Sequence, residues 1–264
     1  MSSHSEQQLK RDRHDRRTAA IGTVVIFASA FALYALLTDL TGWMDSVLFP
    51  GWGVILPEMA GAAGELARGL WFSMRLLVPA LASAILVGIA VGLLVGLHPR
   101  LKLVIMPVFR ALNPIPPTML IPYAIAILPS FWLSSAAIIF IGVFWPVLMS
   151  TIHGIAILEP RWLDNARCLQ LSGRKLIFKV ILPGAMPQIL AGISSGLIFS
   201  FILLTVAEMF GAKAGLGFYV QYYADFAEYG RVLGGILYMS LIVIAIMTLF
   251  DRLQRRILHW TNKR

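Results

Sequence analysis

The residues able to do chemistry in this chain are concentrated in one interval, residues 164–187, DNARCLQLSGRKLIFKVILPGAMP. It carries Asp164, Arg167, Arg174, Lys175 and Lys179 between two long apolar runs and closes on Pro183 and Pro187. The chain has no nucleophile with a base at an activating spacing, no metal-ligand cluster and no GxxxxGK[ST] phosphate loop. A charged, helix-compatible interval between apolar runs must instead lie in water, where it offers a shape and a charge pattern to a soluble partner. One more ionisable group stands out. Glu208 lies near the end of an apolar run, and a carboxylate there is costly. It has two readings, a functional acid or an acid paired for structural reasons near the interface.

The elements that carry these residues follow from composition. Of 264 residues, 58% are hydrophobic and 13% charged, whereas a soluble domain carries about 25% charged residues. The chain is therefore read as an all-α integral membrane protein with one transmembrane domain, residues 19–264, behind a polar tail, residues 1–18. Cys168 is the single cysteine, which excludes an internal disulfide and, in a cytoplasmic segment, favours an ordinary reduced thiol.

The net charge of +9 does not point to nucleic acid, because of where the charge lies. Eighteen of the 22 basic residues fall in four segments: before the first apolar run, at Arg100, Lys102 and Arg110, within residues 161–179, and at the C-terminus. This is the positive-inside pattern, and six spans with both termini in the cytoplasm satisfy it. The expected spans are residues 19–37, 70–97, 101–128, 131–158, 188–210 and 231–250. The first is read as a retained span, with a cleaved signal peptide as the competing reading. Residues 38–68 form an outer loop with a short interfacial helix over the second half.

Three details bear on function. Gly88, Gly92 and Gly96 share one helix face, which suits close helix packing better than a pore. Six prolines from Pro107 to Pro129 punctuate the third span, which therefore either lines a pathway as a broken helix or is a kinked, packed one. The polar residues Asn113, Thr118, Ser150, Ser195 and Glu208 are the candidates for lining that pathway. Tyr219, Tyr222, Tyr223 and Tyr229 suit an outer aromatic belt.

These residues carry a resemblance. The chain resembles the permease subunits of ABC importers, in the branch with nitrate, taurine and alkanesulfonate permeases. The permease motif of that family has an acidic residue and two alanines, a glycine four residues after the second alanine, and a closing Leu-Pro. Here Asp164 stands at the acidic position, Ala166 at the second alanine and Leu182-Pro183 at the close. Further support comes from Ala207-Glu208-Met209, Gly215-Leu216-Gly217, Pro114 to Pro117 and Gly64-Glu65-Leu66, so that the likeness covers about residues 48–260.

The resemblance implies a type I importer-like permease fold in the bacterial inner membrane, with a cytoplasmic coupling segment at about residues 159–187. It implies a coupling element of Asp164, Asn165, Ala166, Arg167, Leu169, Gln170, Leu171, Ser172 and Gly173. The implied partners are a dimer of cytoplasmic ABC ATPases, which would bind ATP and Mg so that this chain holds no cofactor of its own, a second permease copy in a homodimer or heterodimer, an external binding protein and membrane lipid. The implied cargo is a small solute, sulfonate-, nitrate- or taurine-like or another small organic molecule. The chain departs from the motif at two positions. Asn165 replaces the first alanine, and Gln170 replaces the glycine, which predicts a changed bend or a partner adapted to glutamine. A secondary transporter would bury ionisable residues at mid-membrane and show repeated halves, and a membrane enzyme would converge His, Asp or Glu from neighbouring spans. The sequence supports neither.

Overall fold

The computed structural model describes Thr18, residues 21–23 and residues 25–260. Most of the expected tail, part of the first expected span, Lys263 and Arg264 lie outside the described residues. Among those described the chain is helical and without strands. The described residues fall into two compact units, one of those up to residue 61 with 223–234 and one of residues 62–222 with 235–260.

In the first unit, α1 (Ile21–Leu40) is apolar enough to span a membrane and ends in a π turn, Leu36–Leu40. Helix α2 (Trp52–Gly61) is the short helix expected in the loop. Its first residue is clamped to α1, because the Trp52 indole stacks on Phe31 with centroids 4.7 Å apart. Nearby, the Tyr34 hydroxyl donates to the Pro50 carbonyl at 2.9 Å. Arg231 donates to Glu58 at 3.0 Å and to the Tyr223 hydroxyl at 2.8 Å, which fixes the 223–234 segment to α2.

The second unit holds α3 (Ala63–Leu97), α4 (Pro99–Leu112), α5 (Ile121–Ile127), α6 (Phe131–Ala156), α7 (Pro160–Cys168), α8 (Gly173–Leu176) and α9 (Leu182–Gly211). It also holds most of α10 (Leu216–Asp225) and of α11 (Tyr229–Ile257). Helix α6 is its centre, with Val143, Val147 and Leu148 fully buried. Gly88, Gly92 and Gly96 lie against Val147, Thr151 and Ile155 of α6, as the packing reading of that face predicts. Residue numbers rise together along this contact, so α3 and α6 run parallel. Helix α9 runs the other way: Gly154 of α6 meets Ala185, Ser150 meets Gly192 and Val143 meets Gly196. Each contact puts a glycine where a side chain would collide, so the three helices approach backbone to backbone.

This geometry decides the span count. Among the described residues five helices are long and apolar enough to cross a membrane, and α4 with the Pro117–Ile127 segment forms a pair bent by 77°. Because α3 and α6 are parallel, the chain between them must return to the side from which α3 started. The bent pair is therefore the third crossing, and the spans number six. Most of the prolines sit where helix geometry accepts them, Pro99, Pro117 and Pro122 in first turns and Pro114 and Pro116 in the break itself, while Pro107 lies inside α4.

Several expectations are corrected. The second span begins seven residues early, at Ala63, and the fifth is already helical from Gly173, well inside the interval expected to lead up to it. Pro183 and Pro187 do not end that interval. A π turn at Ile177–Ile181 precedes Pro183 and loosens the backbone where the proline lacks a donor and crowds the preceding turn. Tyr219 and Tyr223 are buried rather than placed in a surface belt, while Tyr222 is exposed. Arg110 does not stay with Arg100 and Lys102 at the start of α4. It lies eleven residues along α4 from Pro99, which at 1.5 Å per residue is roughly 16 Å along the helix.

Candidate docking element and pathway face

The candidate docking element is built around α7. Pro160 opens the helix at a position needing no amide donor, with Glu159 extended before it and ion-paired to Arg161. The helix turns Ala166 inward, 2% exposed, and leaves Asp164, Asn165, Arg167 and Cys168 on the surface. Arg167 donates to Asp164 at 3.0 Å across one turn, an exposed pair worth at most about 1 kcal/mol.

The turn after α7 accounts for the glycine of the motif. Gln170 has φ +52°, the Leu171 amide donates to the Ala166 carbonyl at 2.9 Å, and the Gln170 amide donates to Arg167 at 2.9 Å. These two bonds make a Schellman cap, whose left-handed position is ordinarily glycine. Glutamine therefore adopts the conformation glycine would supply, and the expected change of bend is not found. Gly173, φ +55°, supplies a second left-handed residue three positions on, after extended Ser172. Just before them Leu169 stands 72% exposed, a large apolar side chain at the tip of a charged turn.

Helix α7 lies against the π turn Ile177–Ile181, and its Trp162 ring reaches the start of α9, where a side chain at Gly184 would come within 2.9 Å of it. Trp162 also faces Trp260 at the end of α11, ring centroids 5.9 Å apart. An open pocket of about 440 Å³ lies behind the element, lined by Trp162, Ala166, Leu171, Lys179 and Trp260.

The candidate pathway residues are not brought together. Asn113 caps α4 and is exposed, and Thr118 is half-buried in the 3-10 turn Pro117–Leu120. Ser150 is half-buried where α6 meets Gly192 of α9. Ser195 is exposed on α9 and returns its hydroxyl to the Ala191 carbonyl at 3.2 Å. Glu208 is 2% exposed, accepting from Ser73 at 2.7 Å and from the Gly217 amide at 2.8 Å. Ser73 was missed, since nothing local marks a serine on α3 as the partner of an acid on α9. Arg110, in the last turn of α4 beside Asn113, was not singled out because its charge was counted in one basic cluster with Arg100 and Lys102.

Known proteins extend this picture. Residues 84–261 match the model of the family described as binding-protein-dependent transport system inner membrane component. The chain is 31% identical over 251 residues to the taurine transport system permease protein TauC of Escherichia coli (strain K12), a match covering 92% of this chain and 90% of the relative. It is 30% identical to the putative aliphatic sulfonates transport permease protein SsuC of Bacillus subtilis (strain 168), covering 66% of this chain and 63% of the relative. It is 29% identical to the nitrate import permease protein NrtB of Synechocystis sp. (strain ATCC 27184 / PCC 6803 / Kazusa), covering 62% and 59%. In fold it is similar to a chain of the MetNI methionine ABC transporter, with a TM-score of 0.59 at 17% identity, covering 75% of this chain and 98% of that one. A chain of an amino acid ABC transporter gives a TM-score of 0.56, also at 17% identity, covering 76% and 95%. Family match, relatives and helical architecture agree: this chain belongs to the binding-protein-dependent transport system inner membrane component family and is a permease subunit of an ABC importer.

Proposed function

We propose that this permease forms, with a second permease copy, the pathway for a small sulfonate-, nitrate- or taurine-like solute delivered by an external binding protein. Two cytoplasmic ATPases bind ATP and Mg and drive the cycle through the element at residues 164–173. The basic segments face the cytoplasm, which puts both termini and that element on the ATPase side.

The observation that carries this reading is the mounting of α7. Ala166 is turned inward and Trp162 reaches Gly184 of α9, while Asp164, Arg167, Leu169 and Gln170 are left exposed. An element seated beside the start of α9 passes a push to that helix, and it contributes shape rather than reacting groups. Closure of the ATPases around ATP draws the two elements together and opens the pathway outward, and hydrolysis resets it.

The test is Ala166→Pro. Proline in the interior of α7 costs about 3 kcal/mol of helix stability without touching the spans. The variant inserts at normal levels, and its complex either fails to copurify the ATPase in mild detergent or hydrolyses ATP without uptake. Full uptake with hydrolysis still stimulated by loaded binding protein would mean that residues 164–173 do not couple the two.

A further inference from the structure

Arg110 is the observation that neither the docking element nor the family match accounts for. Its neighbour Phe109 packs edge-on against Trp145 of α6, ring centroids 5.3 Å apart. Trp145 lies fourteen residues from the start of α6 and eleven from its end, roughly 21 Å and 16 Å along the axis. An apolar layer about 30 Å thick therefore has its midplane within a few ångströms of this contact. The guanidinium is at mid-membrane level, at the helix end where the chain bends by 77°.

The side chain is exposed and has no hydrogen-bond or ion-pair partner among the described residues. The opposite face of α4, with Ile105, Met106 and Phe109, packs on Val95, Leu148 and Ile152. Arg110 thus belongs to the stripe that turns away from the core, with Leu103, Pro107 and Asn113, all exposed. Around α6, helix α4 takes the edge bearing Trp145 and Leu148, and α9 takes the edge bearing Pro146 and Ser150. The strip between them presents Met149 and His153, with His153 exposed. Ser195, exposed on α9, is level with the same part of α6, because Gly192 and Gly196 meet Pro146 and Val143. A cation, an amide and a hydroxyl therefore stand at one depth on the two helices that flank an open strip.

A permanently charged guanidinium at this depth needs a counter-charge. The described acidic residues lie toward helix ends, in loops or in short helices, and Glu208 already accepts from Ser73 and Gly217. A second copy of the same chain brings no other acid to this level. Lipid headgroups lie about 15 Å away. What remains is a charge that arrives and leaves.

We propose that Arg110, with Asn113 beside it at the α4 break, forms a mid-membrane site that recognises a small oxoanion on its way through the permease. The planar fork of arginine matches two oxygens of a sulfonate, nitrate or bicarbonate group, and the Asn113 amide adds a donor. The inference rests on the transport reading and narrows its solute to an oxoanion.

The experiment uses the full complex with ATPases and binding protein, in proteoliposomes, with Cys168 replaced by serine. Uptake is measured with labelled taurine, ethanesulfonate, nitrate and bicarbonate. Arg110→Cys lowers uptake of the transported anion by about tenfold or more, the worth of one charge-assisted bond. Reaction with the cationic 2-aminoethyl methanethiosulfonate restores most of it, and the anionic 2-sulfonatoethyl reagent does not. Arg110→Lys keeps the charge and retains more uptake than Arg110→Gln. Parental rates in Arg110→Cys, or equal effects of both reagents, would overturn the proposal. So would a defect confined to membranes containing phosphatidylglycerol, which would assign Arg110 to lipid, and so would a parental complex that takes up an uncharged solute and none of the four anions. Failure of the parental chain to copurify an ATPase would remove the transport reading itself, an outcome distinct from the others.

Discussion

Ser73 and Glu208 stand 135 positions apart and meet at 2.7 Å in the interior, the serine hydroxyl donating to Oε1 of the acid. The same hydroxyl accepts from the Leu216 amide at 3.0 Å, and Oε2 of Glu208 accepts from the Gly217 amide at 2.8 Å. Two side chains thus satisfy two amides in the first turn of α10 and tie α3, α9 and α10 together. The loop is glycine there for lack of room: a side chain at Gly217 would come within 2.5 Å of the Thr205 carbonyl oxygen.

Ser73→Ala removes a donor and an acceptor at once and leaves the Leu216 amide buried without its partner. A loss of about 1–3 kcal/mol is expected, read as a lower unfolding midpoint of the detergent-solubilised protein. Gly217→Ala lowers the midpoint further, since backbone and carboxylate must both move. An unchanged midpoint for Ser73→Ala would show that the network contributes nothing to stability.

Gln170 holds a left-handed conformation that disfavours any residue with a side chain. Gln170→Gly relieves roughly 1 kcal/mol at the Schellman cap, and Gln170→Val, branched at Cβ, worsens it. Hydrogen exchange at the amides of Gln170 and Leu171 is expected to slow in the glycine variant and quicken in the valine one. Uptake by Gln170→Gly stays close to that of the parent, because the bend is unchanged. Faster exchange in Gln170→Gly would contradict the cap.

The orientation of the six spans has its own test. With Cys168 replaced by serine, single cysteines at Asp12, Arg100, Arg174 and Trp260 react with impermeant thiol reagents only from the cytoplasmic side. A cysteine at Asp45 reacts from outside. Labelling of position 174 from outside in intact cells would overturn the topology.

Much of this was legible in the chain before any coordinates. Apolar run length sets where helices cross, and a four-residue glycine repeat marks the α3 face that meets α6. The acid, alanine and Leu-Pro positions of residues 164–183 marked the short helix and turn proposed as the docking element, because a turn between short helices is encoded locally in the residues that make it.

Tertiary packing decided the rest. Prolines announce a break but not its angle, and only the parallel run of α3 and α6 shows that the bent α4–α5 segment must be a crossing. Glu208 had two readings in sequence, and the structure gives it partners, because Ser73 lies on a helix that only packing brings alongside. Arg110 was counted in one basic cluster with Arg100 and Lys102, since charge along a chain carries no depth. Its depth comes from Phe109 meeting Trp145, a contact between helices that no periodicity within either one records.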